Sequence, residues 1–211
     1  MSDYQELYEA ILAGKAPKAE ALAKEFLEAN INVQELIVNF MIPAMDEAGR
    51  RFEENEFFVP ELLIAARAMK LAMAVLAPAL AASGAEPVGK VIIGTVQGDM
   101  HDIGKNLVAS MLEGAGFQVT DLGVNVAPEK FVESLKSQAG SILAMSALLT
   151  TTMPAMKATI DALSTAGLRD TTKIMIGGAP VTEEFAAQIG ADGYSENAST
   201  AVALARQLAS G

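Results

Sequence analysis

Two apolar periods divide the chain. Up to about residue 83, apolar positions recur at helical spacing; beyond about residue 90 they gather into short continuous runs between helical stretches. Leu7, Ile11 and Leu12 form one apolar face, ended by Gly14-Lys15-Ala16-Pro17. Leu22, Phe26 and Leu27 form the next, up to Asn30. A third helix is predicted from Val33 to Glu54 on Leu36, Ile37, Phe40, Met41, Met45 and Ala48, kinked at Pro43. A fourth is predicted to begin at Pro60, a favoured first helical position, and to run through Leu63, Ala66, Met69, Ala72, Met73 and Leu76. Helices of this length joined by short turns predict an antiparallel four-helix bundle.

The second period is that of an α/β protein. Val91 to Val96 is a continuous apolar run, as expected of a strand buried on both faces. Further strands are predicted over 118–122, 141–145, 173–176 and 192–194. Helices are predicted over 103–113, 128–138, 153–166, 181–189 and 198–208. The alternation predicts a flavodoxin- or Rossmann-like five-stranded parallel sheet with flanking helices. The expected organisation is a helical bundle over 1–83, a linker over 84–89 and the sheet domain over 90–211.

Composition narrows the function. A net charge of −11 argues against a nucleic-acid partner, which needs a basic face. The Ala-rich segment 62–82 is broken by Arg67, Lys70 and Pro78, so no membrane span is expected. The N-terminus is acidic and lacks a signal pattern, so a cytoplasmic location is expected. With no cysteine, disulfides, thiolate zinc sites and thiol catalysis are excluded. Eleven methionines read first as core filler.

The candidate chemistry falls after strands, where an open parallel sheet binds its ligands. The first strand is followed by Gly98-Asp99-Met100-His101, which holds the only histidine. The third is followed by residues 146–152, Ser-Ala-Leu-Leu-Thr-Thr-Thr, and the fourth by Gly177-Gly178. Asp99 is close enough to accept a hydrogen bond from one ring nitrogen of His101, which would make the other a better metal ligand. One imidazole cannot hold a metal ion unaided. Either His101 binds no metal, or the metal arrives with most of its ligands supplied by a macrocycle. Dinucleotide and P-loop fingerprints are absent. A Ser146–His101–Asp99 hydrolase is possible by inventory but lacks a nucleophile elbow.

Asp99-x-His101-x-x-Gly104, then Ser146-x-Leu148, then Gly177-Gly178 resembles the signature of cobalamin-binding domains that swing the nucleotide tail away from cobalt. Methionine synthase and the small corrinoid proteins of methyltransferase systems carry it. Gly49-x-x-Phe52, Phe58-Val59-Pro60-Glu61 and Ala66-Arg67-x-Met69 resemble the helical cap of the methyl-transferring branch. The resemblance thus covers nearly the whole chain. It implies that His101 is the lower cobalt ligand, base-off and His-on, within the loop Gly98, Asp99, Met100, His101, Asp102, Ile103 and Gly104. It implies that Asp99 and Thr152 relay a proton; the third relay member in methionine synthase is a serine. Ser146, Leu148, Thr150, Gly177, Gly178, Tyr194 and Ala198 would line the slot for the tail. Phe52 and Val59 would cover the methyl-bearing face, with Leu62 and Leu63 as further cap candidates or simply bundle core.

The function implied is that of a methyl-carrying corrinoid subunit rather than a complete enzyme, with cobalamin or a related corrinoid cycling between methylcobalamin and Co(I). Its implied partners are a substrate:corrinoid methyltransferase (methylamine, methoxyaromatic, betaine or methanol type), a corrinoid:tetrahydrofolate or thiol methyltransferase, and a reductive activase. Two alternatives share the resemblance. One is a cobalamin-dependent sensor, weakened by the acidic charge and the absence of tryptophan. The other is the small subunit of an adenosylcobalamin mutase, which lacks such a cap.

Overall fold

The computed structural model describes residues 4–82 and 87–210; residues 84–86 of the expected linker lie outside them. The chain separates into two compact units. One holds the helices up to Pro87 with Glu113–Gly116; the other holds Val88–Leu112 and the chain from Phe117 onward.

In the first unit, α1 (Tyr4–Leu12) and α2 (Ala16–Glu28) follow the predicted faces. The third predicted helix is α3 (Val33–Leu36), a π-helical turn (Ile37–Met41) and α4 (Ile42–Glu53) in unbroken succession. Proline lacks an N–H, and its ring crowds the carbonyl four residues back. The π turn, closed by Ile42 N–H on the Ile37 carbonyl, breaks the regular hydrogen-bond ladder just before Pro43, where the misfit was expected. Asn55, at φ 59°, starts the turn toward α5 (Val59–Ala82). α5 begins one residue before Pro60, because Glu61 reaches back to accept the Phe58 N–H at 3.0 Å and caps the helix there.

One expectation about α5 is corrected. Val59–Leu80 has a mean hydropathy of 1.7 and is long and apolar enough to cross a membrane, despite Arg67 and Lys70. What α5 does in this fold is pack: Leu62, Ala65, Ala66, Met69, Ala72 and Leu76 are buried in the helical core with Leu7, Ile11, Phe26, Leu36, Met41 and Met45. Its small residues allow close helix approach and also raise its hydropathy.

In the second unit the strands are β1 (Lys90–Thr95), β2 (Gln118–Asp121), β3 (Ile142–Ser146), β4 (Ile174–Gly177) and β5 (Gly193–Ser195). They pair in parallel in the order β2-β1-β3-β4-β5. The flanking helices are α6 (Ile103–Gly114), α7 (Pro128–Ser137), α8 (Pro154–Thr165), α9 (Glu183–Ile189) and α10 (Ala198–Ser210). α9 starts two residues later than its apolar pattern suggests. Thr182 is the better N-cap and accepts the Phe185 N–H at 3.1 Å, while Val181 turns inward. Ile92, Leu143, Met145, Ile174 and Ile176 of the inner strands pack with Phe131, Met156 and Ile160 of the helices. The buried methionines are core filler, as their usual role suggests.

The strand order carries the functional consequence. The chain leaves β1 toward β2 on one side and leaves β3 toward β4 on the other, so a crevice opens beyond the carboxyl ends of β1 and β3. Gly94, near the end of β1, leaves room for Phe131: a Cβ there would lie 2.9 Å from the ring. Gly94→Ala is expected to cost about 1–3 kcal/mol through overpacking. Chemical denaturation should show it as a lowered midpoint with an unchanged slope.

Candidate functional site

The histidine loop begins where β1 ends. Val96 still pairs with its neighbours, donating its N–H to the Ser146 carbonyl at 3.0 Å and bridging to Val126. Gly98, at φ 85°, then turns the chain back, a conformation that glycine adopts without steric cost. The reversal drives Asp99 inward until it is wholly buried.

Asp99 is the hub of the site. Oδ1 accepts the His101 backbone N–H at 3.0 Å and lies 2.7 Å from His101 Nδ1. Oδ2 accepts the Leu148 N–H and the Thr152 hydroxyl, each at 2.7 Å. Burial by itself would raise its pKa. The hydrogen bonds from the His101 and Leu148 backbone and from the Thr152 and His101 side chains outweigh burial and hold the carboxyl below the usual carboxylate range. Asp99 is therefore ionised near neutral pH and can only accept. The proton between it and the neutral ring thus sits on His101 Nδ1, and Nε2 keeps a lone pair. The His101 side chain is 51% exposed, so that lone pair can be reached.

The other predicted residues divide by place. Met100, Ile103, Leu148 and Leu149 are exposed at 66%, 81%, 42% and 42%, an apolar rim on the two loops that carry the pair. Thr150 is exposed on the turn after β3, Asp102 is half-buried, and Gly104 lies in the first turn of α6. Ser146 ends β3 in register with Gly177. Gly177 and Gly178 are needed by the protein's own backbone. A Cβ on Gly178 would fall 1.9 Å from the Ala147 carbonyl, and one on Gly177 would fall 2.9 Å from the Ser195 carbonyl. Tyr194 is half-buried on β5 beside Ile176, and Ala198 is buried at the start of α10. Phe52, Val59, Leu62 and Leu63 belong to the helical unit. There Phe52 is half-buried, Val59 and Leu63 are exposed, and Leu62 lies wholly in the core on the α5 face shared with Ala66 and Met69.

Two residues that the motif does not contain complete the loop. Thr95 is buried, and its hydroxyl donates to the His101 carbonyl at 2.9 Å. Asn125, at φ 53°, accepts the Gly98 N–H on its side-chain oxygen at 2.7 Å and donates its own N–H to the Asp99 carbonyl at 2.9 Å. Their signals in the sequence were a hydroxyl closing an apolar strand and an asparagine two residues after Gly123.

The donor set could hold a metal only if the metal brought its other ligands with it. Among the described residues no three His, Cys, Asp or Glu side chains gather as a metal site. A single reachable imidazole nitrogen beside an apolar rim suits a metal already held in a large, flat, mostly apolar ligand. A cleft of about 140 Å³ at the opposite edge of the sheet, between Lys90, Ser141 and Lys173, contains none of the predicted site residues.

Comparison with known proteins agrees with this geometry. The B12 binding domain family matches residues 89–203, and a second B12 binding domain family matches residues 4–77. The dimethylamine corrinoid protein of Methanosarcina barkeri is 41% identical over 97% of this chain and 96% of its own length. Trimethylamine corrinoid protein 2 of Methanosarcina mazei is 46% identical over 88% of this chain and 86% of its own. A chain of the methanol:cobalamin methyltransferase complex MtaBC from Methanosarcina barkeri superposes with a TM-score of 0.86 at 29% identity, covering 99% of this chain and 80% of that one.

Asp99 links the site to stability. Its folded pKa is lowered, so its contribution is complete above the unfolded value of about 3.9 and is lost as pH falls toward the folded value. Below about pH 5 the gap in unfolding free energy between the parent and Asp99→Asn should narrow as pH falls. Denaturant titrations across pH check this; a gap that widened in acid would contradict it.

Proposed function

The chain belongs to the B12 binding domain family, and on that premise we propose that it receives a methyl group from a substrate-specific methyltransferase on the cobalt of a bound corrinoid and hands it to a second methyltransferase. It is a corrinoid protein of the methyl-carrying kind. The observation that carries the reading is the buried Asp99 carboxylate holding His101 Nδ1 at 2.7 Å, which leaves Nε2 as the one exposed imidazole donor.

When bound, a corrinoid would supply the chemistry that no side chain can, the uptake and release of a methyl group at its cobalt. The chain's own residues ligate, orient and shield. His101 Nε2 is the proposed lower ligand. Asp99 fixes its tautomer and ring orientation. The Thr152 hydroxyl lies 2.7 Å from Asp99 Oδ2 and 2.8 Å from the Leu149 carbonyl, and its one hydrogen can serve either acceptor. Donating to Asp99, it helps keep the carboxylate ionised, so a proton taken up by the pair would rest on the exposed Nε2 of His101, where it would compete with a metal for the lone pair.

Met100, Ile103 and Leu148 are the proposed apolar seat of the ring. Ser146, Thr150, Gly177, Gly178, Tyr194 and Ala198 are the proposed tail contacts. Phe52, Val59 and Leu63 are proposed apolar contacts to the methyl-bearing face, and Leu62 supports them from the core. The names of the relatives favour a methylamine as methyl source. A folate- or thiol-linked methyltransferase as acceptor and a reductive activase complete the proposed cycle. A cytoplasmic setting suits it, because Co(I) needs reducing surroundings.

Protein loaded with cobalamin is expected to bind one cobalt per chain and to show a histidine-ligated visible spectrum. His101→Ala should lose that spectrum and weaken cofactor binding by at least about tenfold. Mixing the reduced, loaded protein with an amine methyltransferase and its methylated amine should produce the methylcobalamin spectrum. Failure with every methylamine enzyme would remove the proposed donor class, and an unchanged His101→Ala spectrum would remove the ligand assignment.

A further inference from the structure

The loop after β2 has no part in the motif, yet it grips the histidine loop from the side opposite Leu148 and Thr152. Beyond Asp121 the chain keeps following β1 as an irregular continuation of the sheet. Leu122 N–H donates to the Ile93 carbonyl, Thr95 N–H to the Gly123 carbonyl, and Val126 N–H to the Thr95 carbonyl, at 2.8–3.0 Å. Gly123 and Asn125, both at positive φ, let this segment bend upward past the end of β1. The bend is anchored by a buried cation. Lys105, its side chain 1% exposed, pairs with Asp121, whose other oxygen accepts the Gly123 N–H at 2.8 Å. The result places Asn125 against both residues of the reversal: its Oδ1 takes the Gly98 N–H and its own N–H holds the Asp99 carbonyl.

We propose that Asn125 is a positioning residue for the cobalt ligand, fixing Gly98–Asp99 so that the Asp99 carboxylate meets His101 Nδ1. The proposal rests on the reading of His101 as the ligand. Oδ1 and Oδ2 of Asp99 are both engaged, so the carboxylate cannot follow a displaced backbone without giving up bonds on one side. Without the Asn125 oxygen, the Gly98 N–H turns to water and the reversal loosens. The hydrogen bond to Nδ1 is the one with least support, because its partner is the half-exposed ring.

Asn125→Gly removes the oxygen and keeps the positive φ free of strain. Asn125→Asp keeps an oxygen acceptor and the tolerated conformation. Because the chain has one histidine, protein labelled with ¹⁵N-histidine reports this ring alone. In the cofactor-free parent, measured at alkaline pH where an imidazole is neutral, Nδ1 should carry the proton and Nε2 should be bare. Asn125→Gly should shift the ring toward the averaged two-tautomer signal of a free imidazole and bind cobalamin about fivefold more weakly. Asn125→Asp should keep the parent tautomer. Parent-like behaviour in Asn125→Gly, or equal loss in both variants, would overturn the proposal. If the loaded parent itself lacked a histidine-ligated spectrum, the ligand reading would fail, while the cofactor-free tautomer would still test the positioning role.

Discussion

The rest of the site depends on one buried carboxylate. Asp99 has no exposure, so its charge persists only because its hydrogen-bond donors converge on it. Those donors come from its own loop and from the loop after β3, and this draws the two loops together at the switch point of the sheet. One requirement, that a buried charge be satisfied, therefore sets three things. It closes the crevice on one side, keeps Asp99 ionised, and holds the His101 proton on Nδ1. The exposed Nε2 follows from that.

The fold makes this convergence possible without strain in the strands. A parallel order of β2-β1-β3-β4-β5 puts the ends of β1 and β3 side by side, with Thr95 opposite Ser146 in register. Gly178 then brings β4 hard against Ala147, the residue before the Leu148 N–H that Asp99 needs. The Gly177-Gly178 pair thus acts on the carboxylate at one remove. A side chain at Gly178 would push the Leu148 amide, and the fault would pass to the imidazole. This is a backbone reason for glycine that stands beside any role in admitting a ligand.

Much of this was legible in the sequence because it rested on local signals. Continuous apolar runs marked the inner strands, and the change of period near residue 90 marked where helices give way to sheet. Asp99 and His101 stood out as polar groups after an apolar strand, whereas only the resemblance separated Thr152 from Thr150 and Thr151. What was not legible depended on contacts distant along the chain or on backbone geometry. Asn125 reads as an ordinary turn residue until its bond to Gly98, 27 residues away, is seen. The π turn before Pro43 was not legible, because residue pattern does not report which carbonyl a helical N–H will choose. α5 reads as a broken apolar stretch, yet it meets the length and hydropathy of a span while burying its alanines among helices. Hydropathy measures composition; burial depends on the neighbours a face finds.

The central claim is that His101 Nε2 is the axial donor to a corrinoid cobalt. Electron paramagnetic resonance of the Co(II) form tests it most directly, with cobalamin of natural isotopic composition bound to protein labelled with ¹⁵N-histidine. A nucleus of spin one-half on the metal axis splits each cobalt line in two, whereas ¹⁴N splits it in three. The account predicts doublets, since the chain's only histidine must be their source. Triplets would show the cofactor's own base on cobalt, and unsplit lines would show no nitrogen there; either would contradict the account.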